Sequence, residues 1–266
     1  ISDSVHISRR GKAFGITDII IDDDSCLDTL GKGKGRYITL ESDRLSRYTD
    51  DYEEMAQELA AEIESFIPEG DILVAGLGNS LVTPDRLGPE TAAKVRVTRH
   101  LFVIFDADGD EEMSNVSCII PGVTGSTGME TAEVIKKAAE IVKPDVVIVI
   151  DSLAARDIDR VSTTIQLTDT GIQPGSGMGN HRAGINEENI GAPVLAIGVP
   201  TVIDIKTILR DALEENLDSA EAVEKYLSDY DRQMIVTSTD IDILVKDFSD
   251  IIADGINKTL HPGIYS

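Results

Sequence analysis

Two aspartates stand where this chain could do proton chemistry. Asp85 lies in Gly76-Leu-Gly-Asn-Ser-Leu-Val-Thr-Pro-Asp-Arg-Leu-Gly-Pro89, which is entered straight from the apolar run Asp71-Ile-Leu-Val-Ala75 and left by a helical segment. Asp151 opens Asp151-Ser-Leu-Ala-Ala-Arg156, directly after Val146-Val-Ile-Val-Ile150. Each acid follows a buried-type strand, and in an open parallel sheet the loops at the carboxyl ends of strands gather on one edge. Two carboxyls facing one cavity resist ionising together, so one keeps a proton while the other stays charged. The charged one can take a proton from water, and the neutral one can protonate or polarise a carbonyl. An aspartate after a strand can equally cap a helix or turn, so each acid gains its interest from the other.

Further candidates surround them. Thr168-Asp-Thr-Gly-Ile-Gln-Pro-Gly-Ser-Gly-Met-Gly-Asn-His-Arg182 is dense in glycine and follows a strand over Ser162–Leu167. It lacks the Lys-Ser/Thr of a phosphate loop, and Gly175-x-Gly-x-Gly179 does not match the dinucleotide fingerprint. It reads as a substrate-shaping loop whose backbone N–H groups could serve a carbonyl or oxyanion. Pro121-Gly-Val-Thr-Gly-Ser-Thr-Gly128 is another glycine-rich loop at a strand end, and loops of this kind on one edge imply a cleft. Asn79, Arg156, Asp169, His181 and Arg182 are supporting positions: the arginines could meet acidic substrate side chains, and His181 could bind a carboxylate. His100 reads as a packing or capping residue. Ser80, Ser126 and Ser152 lack the nucleophile elbow of a serine hydrolase.

Neither metal nor cofactor is expected. Cys26 and Cys118 form no C-x-x-C, the four histidines make no H-E-x-x-H pair, and Asp22-Asp23-Asp24 has no calcium-loop spacing and reads as a solvated turn. A disulfide framework is not expected either.

The elements that must position these groups are legible as patterns. Ile16–Ile21 reads as an edge strand and Arg36–Leu40 as a second one. Tyr48–Ile67 carries Met55, Leu59, Ile63 and Phe66 at helical spacing. From Asp71 strands and helices alternate: Ile72–Ala75, a helix over Pro89–Val97, Ser117–Ile120, a helix over Met129–Val142 with a Thr127/Glu130 capping box, then Val146–Ile150 and Val194–Ile197. The continuously apolar strands predict the centre of a sheet covered on both faces. Ile203–Leu213, Ala220–Tyr230 and Thr237–Leu260 read as helices, the last with Ile241, Leu244, Val245, Phe248, Ile251, Ile252 and Ile256 on one face. The expected architecture is a three-layer α/β/α fold with a mostly parallel central sheet. It forms one domain over residues 1–266, with no assigned place for 1–32.

Composition bounds the function. With 266 residues, 41% of them hydrophobic, a substantial core is expected, and no apolar run is long enough to span a bilayer. Ile1-Ser-Asp-Ser has no secretory-signal character, so the chain reads as soluble and intracellular. Beginning with Ile1 rather than Met, it reads as a processed or partial product. A net charge of −24, from 48 acids against 24 Lys and Arg, argues against direct nucleic-acid binding.

Several long motifs in one order carry a resemblance. They are Gly33-Lys-Gly-Arg-Tyr-Ile-Thr-Leu-Glu-Ser42, Gly76-Leu-Gly-Asn79, Val82-Thr-Pro-Asp-Arg-Leu-Gly-Pro89, Thr98-Arg-His-Leu101, Pro121 to Glu130, Ile150 to Arg156, Asp169 to Asn180, Ile197-Gly-Val-Pro-Thr-Val-Ile-Asp204 and Met234 to Leu260. In these the chain resembles the spore germination protease family from about Gly33 onward. The resemblance implies an aspartic-type endopeptidase that degrades small acid-soluble spore proteins during germination. It also implies synthesis as a zymogen, a homotetramer, a cytoplasmic location in the spore core, and no membrane partner. The family's proposed catalytic aspartates fall on Asp85 and Asp151. The implied fold is the one shared with hydrogenase-maturation peptidases, whose Gly-x-Gly-Asn loop is similar to Gly76–Asn79. The family's Arg-Thr-Asp-Leu-Ala-type segment is not in this sequence, Ile1–Ile21 matches no family motif, and the region from Leu213 to Met234 is shorter than in the longer members. Two alternatives stand beside this reading. One is a metal-dependent peptidase of hydrogenase-maturation type with Asp85, Asp151 and His181 as ligands; the other is a non-catalytic peptide-binding protein on the same fold.

Overall fold

The computed structural model describes residues 4–24, 27, 31–43, 45–105, 112–175, 182–214 and 234–265. The helix expected over Ala220–Tyr230 and the candidate His181 lie outside the described residues. Among those described, nine strands form one sheet: β1 (Val5–Arg10), β2 (Gly15–Ile21), β3 (Gly35–Glu41), β4 (Ile72–Gly76), β5 (Val116–Ile119), β6 (Val146–Ala155), β7 (Thr164–Thr168), β8 (Val194–Asp204) and β9 (Ile235–Val236). Their order is β1-β2-β3-β7-β8-β6-β4-β5, with β9 paired to β8. The strands β8, β6, β4 and β5 are mutually parallel, whereas β1, β2, β3 and β7 extend the sheet by antiparallel pairing.

The helices are α1 (Tyr52–Glu64), α2 (Leu87–Ala92), α3 (Arg99–Phe105), α4 (Thr124–Thr127), α5 (Thr131–Val142), α6 (Glu187–Ile190), α7 (Ile205–Glu214), α8 (Ile241–Leu260) and α9 (Pro262–Tyr265). Side-chain alternation along the central strands explains the three layers. Ile72 and Val74 of β4, with Ile148 and Ile150 of β6, pack in one core with Leu59 and Ile63 of α1 and the buried face of α8. Leu73, Ala75, Val147 and Val149 point the other way, to Ala132, Ile135 and Ala139 of α5. The long helix buries Val245, Phe248, Ile252, Ile256 and Leu260, the stripe its periodicity predicts.

Several elements differ from expectation for physical reasons. Ile16–Ile21 is not the edge, because Val5–Arg10 pairs outside it over its full length. That outer strand exposes almost every side chain, so it carries no hydrophobic alternation to read. The strand after Val194 does not stop at Ile197 but runs to Asp204. It passes Pro200 by a register shift, in which Leu153 faces Pro200 and Ala154 faces Val202, and β-branched Val199, Thr201, Val202 and Ile203 suit the extended form. The helix after the Pro121 loop begins at Thr131 with Glu130 as its N-cap and no side-chain cap bond, so the capping box does not form. Thr127 instead closes α4.

The parallel half sets where the loops meet. Gly88, at the start of α2, sits so close to the strand ends that a Cβ there would lie 2.2 Å from the Leu77 carbonyl oxygen and 2.4 Å from that of Ile150. This contact presses the turn carrying Asp85 onto the end of the strand carrying Asp151. Gly88→Ala is expected to lower stability by about 1–3 kcal/mol, the usual cost of overpacking against atoms that cannot give way. Urea unfolding of the two proteins reads it; an unchanged midpoint would contradict this packing.

Candidate active site

Asp85 ends a short 3-10 turn, Thr83–Asp85, in which Pro84 supplies the fixed φ. The turn is held on three sides. The Asn79 backbone N–H donates to the Asp85 carbonyl at 3.0 Å and to its carboxyl Oδ2 at 2.8 Å, and Val82 N–H donates to Asn79 O at 3.0 Å. Thr201 Oγ1 donates to Pro84 O at 2.7 Å. Gly78 makes the fold-back possible: its φ is +113°, and any Cβ would fall 2.0 Å from the Asp85 carbonyl oxygen. Asp151 is part of β6 itself, opposite Gly198 of β8, and its Oδ1 accepts the Ser152 N–H at 2.9 Å.

These two acids line one cavity of about 500 Å³. Its wall includes Arg156, Gln173 and Arg182, with Val123 and Thr131 from the neighbouring loop and helix and Ile235 from β9. The cavity opens at the carboxyl ends of β4 and β6, where an open α/β sheet puts its ligand.

Burial dominates the electrostatics. Asp151 is only 6% exposed, and burial, followed by the charge of Asp85, pushes its carboxyl up to about 7. The Ser152 N–H and the Arg182 cation oppose that rise. Asp85 is also raised, again first by burial, against the Asn79 N–H and Arg182. The proton that the pair holds below about pH 7 therefore resides chiefly on Asp151, with Asp85 the better-solvated member.

The candidates named from sequence separate into distinct places. Asp85, Asp151, Arg156 and Arg182 share the cavity. Asn79 holds the acid turn through its backbone and accepts from Leu81 N–H at 3.0 Å with its side chain, so it is scaffold rather than lining. Asp169 lies outside the cavity wall: its Oδ1 accepts the Arg36 N–H at 2.9 Å and ties β3 to the end of β7. Ser152 lines the cavity, but its N–H is already given to Asp151. Gln173 and Thr201 are lining residues that sequence reading did not single out. Gln173 lies in the glycine-rich stretch, while Thr201 carries no signal because the apolar run that marks its strand ends at Ile197. Among the described residues no three His, Cys, Asp or Glu side chains gather as a metal-ligand set, and no helix is long and apolar enough to cross a membrane.

Relatives define the class first: it is a peptidase. A family model described as germination protease matches residues 2–220. A germination protease of Caldanaerobacter subterraneus subsp. tengcongensis is 41% identical over 288 residues, spanning 98% of this chain and 89% of that protein. One from Clostridium perfringens is 39% identical over 276 residues, 94% of this chain and 85% of that one. One from Geobacillus is 35% identical, spanning 89% and 80%. The chain belongs to the germination protease family and is an endopeptidase of spore germination. The match from residue 2 takes in β1 and β2, so the segment that no motif placed belongs to the family sequence as well. Among solved structures, the [NiFe] hydrogenase maturation protease HycI from Thermococcus kodakarensis KOD1 aligns with TM-score 0.38 and 13% identity over 74% of this chain and 99% of that one.

Burial of the Asp151 proton has a thermodynamic consequence. Its folded pKa near 7 lies above the roughly 3.9 of an unfolded aspartate. Below about pH 4 both states hold the proton. As pH rises toward 7 the unfolded chain releases it and the folded chain keeps it, so stability falls through that window. The full excursion is about 4 kcal/mol. Asp151→Asn removes it, so the variant should gain stability over the parent as pH rises from about 4 to 7. Denaturant unfolding at a series of pH values measures this, and a constant difference across the window would contradict it.

Proposed function

We propose that Asp85 and Asp151 together hydrolyse peptide bonds by activating water, which makes this endopeptidase one of aspartic type. The observation that carries the reading is the convergence in one cavity of two carboxyls, one from β6 and one from the turn after β4, the first deeply buried, its pKa raised to about 7. Asp85, charged, takes a proton from water; Asp151, neutral, donates a hydrogen bond to the scissile carbonyl. The nearby Arg182 charge weighs against a second cation between the acids and so favours water alone over the metal-dependent reading.

The substrates proposed are small acid-soluble spore proteins, and the assembly a homotetramer made as a zymogen in the spore core; the family's motifs support these points. Arg156 suits an acidic substrate side chain. It lines the cleft, forms no ion pair among the described residues, and its charge acts on Lys32 of the adjoining cavity, as does that of Arg160. In a chain with twice as many acids as bases, Lys32 with Arg156 and Arg160 acting on it, none of them ion-paired among the described residues, makes a place for an anionic group.

Incubation of the full chain with a purified small acid-soluble spore protein, with products mapped by mass spectrometry, tests the reading. Discrete fragments are expected from the parent, and Asp85→Asn and Asp151→Asn should each abolish them while leaving the fold intact. Arg156→Glu should redistribute the cleavage sites. Near-normal turnover in both Asn variants sinks the acid pair, and an intact bound complex from the parent would mean a binder.

A further inference from the structure

We infer that the guanidinium of Arg182 is a catalytic group of this cleft, holding the carbonyl oxygen of the scissile bond as negative charge gathers on it. The inference rests on the acid-pair reading above and adds the group that reading lacks.

The first support is what the backbone has already given away. Oxyanion sites are commonly built from backbone N–H groups aimed at the developing charge. Here the N–H of Asn79 is committed to Asp85, and the N–H of Ser152 to the carboxyl of Asp151. These two amides are thus occupied in positioning the acids. A side-chain donor can supply the positive charge that these two amides do not, and a guanidinium carries several N–H groups in a planar fork suited to an oxyanion.

The second support is the placement of Arg182. It enters the cavity wall from the segment between β7 and α6, whereas Asp85 comes from the turn after β4 and Asp151 from β6. Its charge acts on both carboxyls across the cavity, yet among the described residues no ion pair joins it to either. In a chain with 48 acids and 24 Lys and Arg, a cation that borders the same cavity of about 500 Å³ as two carboxyls without pairing to them leaves room there for a small polar group. The other arginine of the cavity differs, since Arg156 acts on Lys32 rather than on the acids. The Arg182 backbone is itself held: Gln173 Nε2 donates to Arg182 O at 3.3 Å, and paired N–H···O bonds of 2.9 and 2.8 Å join Ile172 to Ile185.

The step balances without further reactants. The water oxygen bonds to the carbonyl carbon, one water proton passes to the Asp85 carboxylate, and the C=O π pair moves onto the oxygen facing Arg182 and the Asp151 proton. On collapse the C=O bond reforms and the C–N bond breaks. The nitrogen takes the proton from Asp85, and the new carboxylic acid releases its own to solvent.

The test uses the full chain with a small acid-soluble spore protein as substrate, comparing Arg182→Gln, Arg182→Lys, Asp85→Asn and Asp151→Asn. Removing one oxyanion donor typically costs roughly 100- to 1000-fold in kcat. Arg182→Gln should lose that much with KM changed by no more than a few-fold, and Arg182→Lys should recover part of it. Because the lost cation had lowered both acids, the acid limb of the kcat–pH profile should also move to higher pH in Arg182→Gln. A kcat within a few-fold of the parent, or a loss confined to KM, overturns the inference. So does a lysine variant that unfolds at the parental temperature yet recovers nothing. If the Arg182 variants stay active while both Asn variants are dead, only the role of Arg182 falls. If the Asn variants are active, the acid pair itself falls.

Discussion

Placing two carboxyls in one poorly solvated cavity is the constraint on which the rest of the structure depends. Like charges brought together away from water cannot both persist, so the fold must bring the acids close and also control how many protons they hold. Closeness comes from the glycine contact between the start of α2 and the ends of β4 and β6, where no side chain fits. The proton count follows from unequal surroundings. Asp151, inside the sheet, gets a single backbone N–H. Asp85, on a turn nearer solvent, receives the Asn79 N–H, and both feel Arg182. Inequality between the two acids is what lets one member of a repulsive pair keep a proton while the other gives its own up.

The two halves of the sheet answer different needs. The parallel half supplies strand ends on one edge, and so supplies the site. Among the described residues the antiparallel half contributes no acid to the cavity and is fastened instead by charge. Asp18 and Glu62, each 7% exposed, are met by Arg36 at 2.8 Å and Arg10 at 2.6 Å, which weld β1, β2 and β3 to α1. Burial pushes Asp18 up, but the hydrogen bonds and charges of the two arginines outweigh it and hold the carboxyl below its ordinary range. The contrast with the cleft is informative. Arg10 and Arg36, which build structure, are ion-paired, and Arg182, which borders the acids, forms no ion pair among the described residues.

Much of this was legible in the sequence because it depends on local pattern. Val146–Ile150 and Ile72–Ala75 read as central strands with an acid beyond each; Asp85 does sit on a turn after β4, whereas Asp151 lies inside β6, which runs on to Ala155. The stripe of Val245, Phe248, Ile252 and Ile256 announced the long helix in the same way. What escaped lacks a local signature. The outermost strand exposes nearly all its side chains, β9 is two residues long, and β8 passes a proline by a register shift visible only in its pairing with β6. Side-chain direction escaped too. Asp169 and Arg182 flank the same glycine-rich stretch, yet one ties down a backbone N–H of β3 and the other borders the acids. Nothing in their spacing separates those outcomes.

The central claim is that the pair holds one proton, on Asp151, up to near-neutral pH. Infrared difference spectroscopy of the carboxyl C=O stretch, taken on the full chain and on Asp151→Asn across a pH series, tests it most directly. The account predicts a protonated-carboxyl band that persists to about pH 7 in the parent and is missing from the variant. Loss of that band by about pH 5, where ordinary aspartates are already ionised, would contradict it.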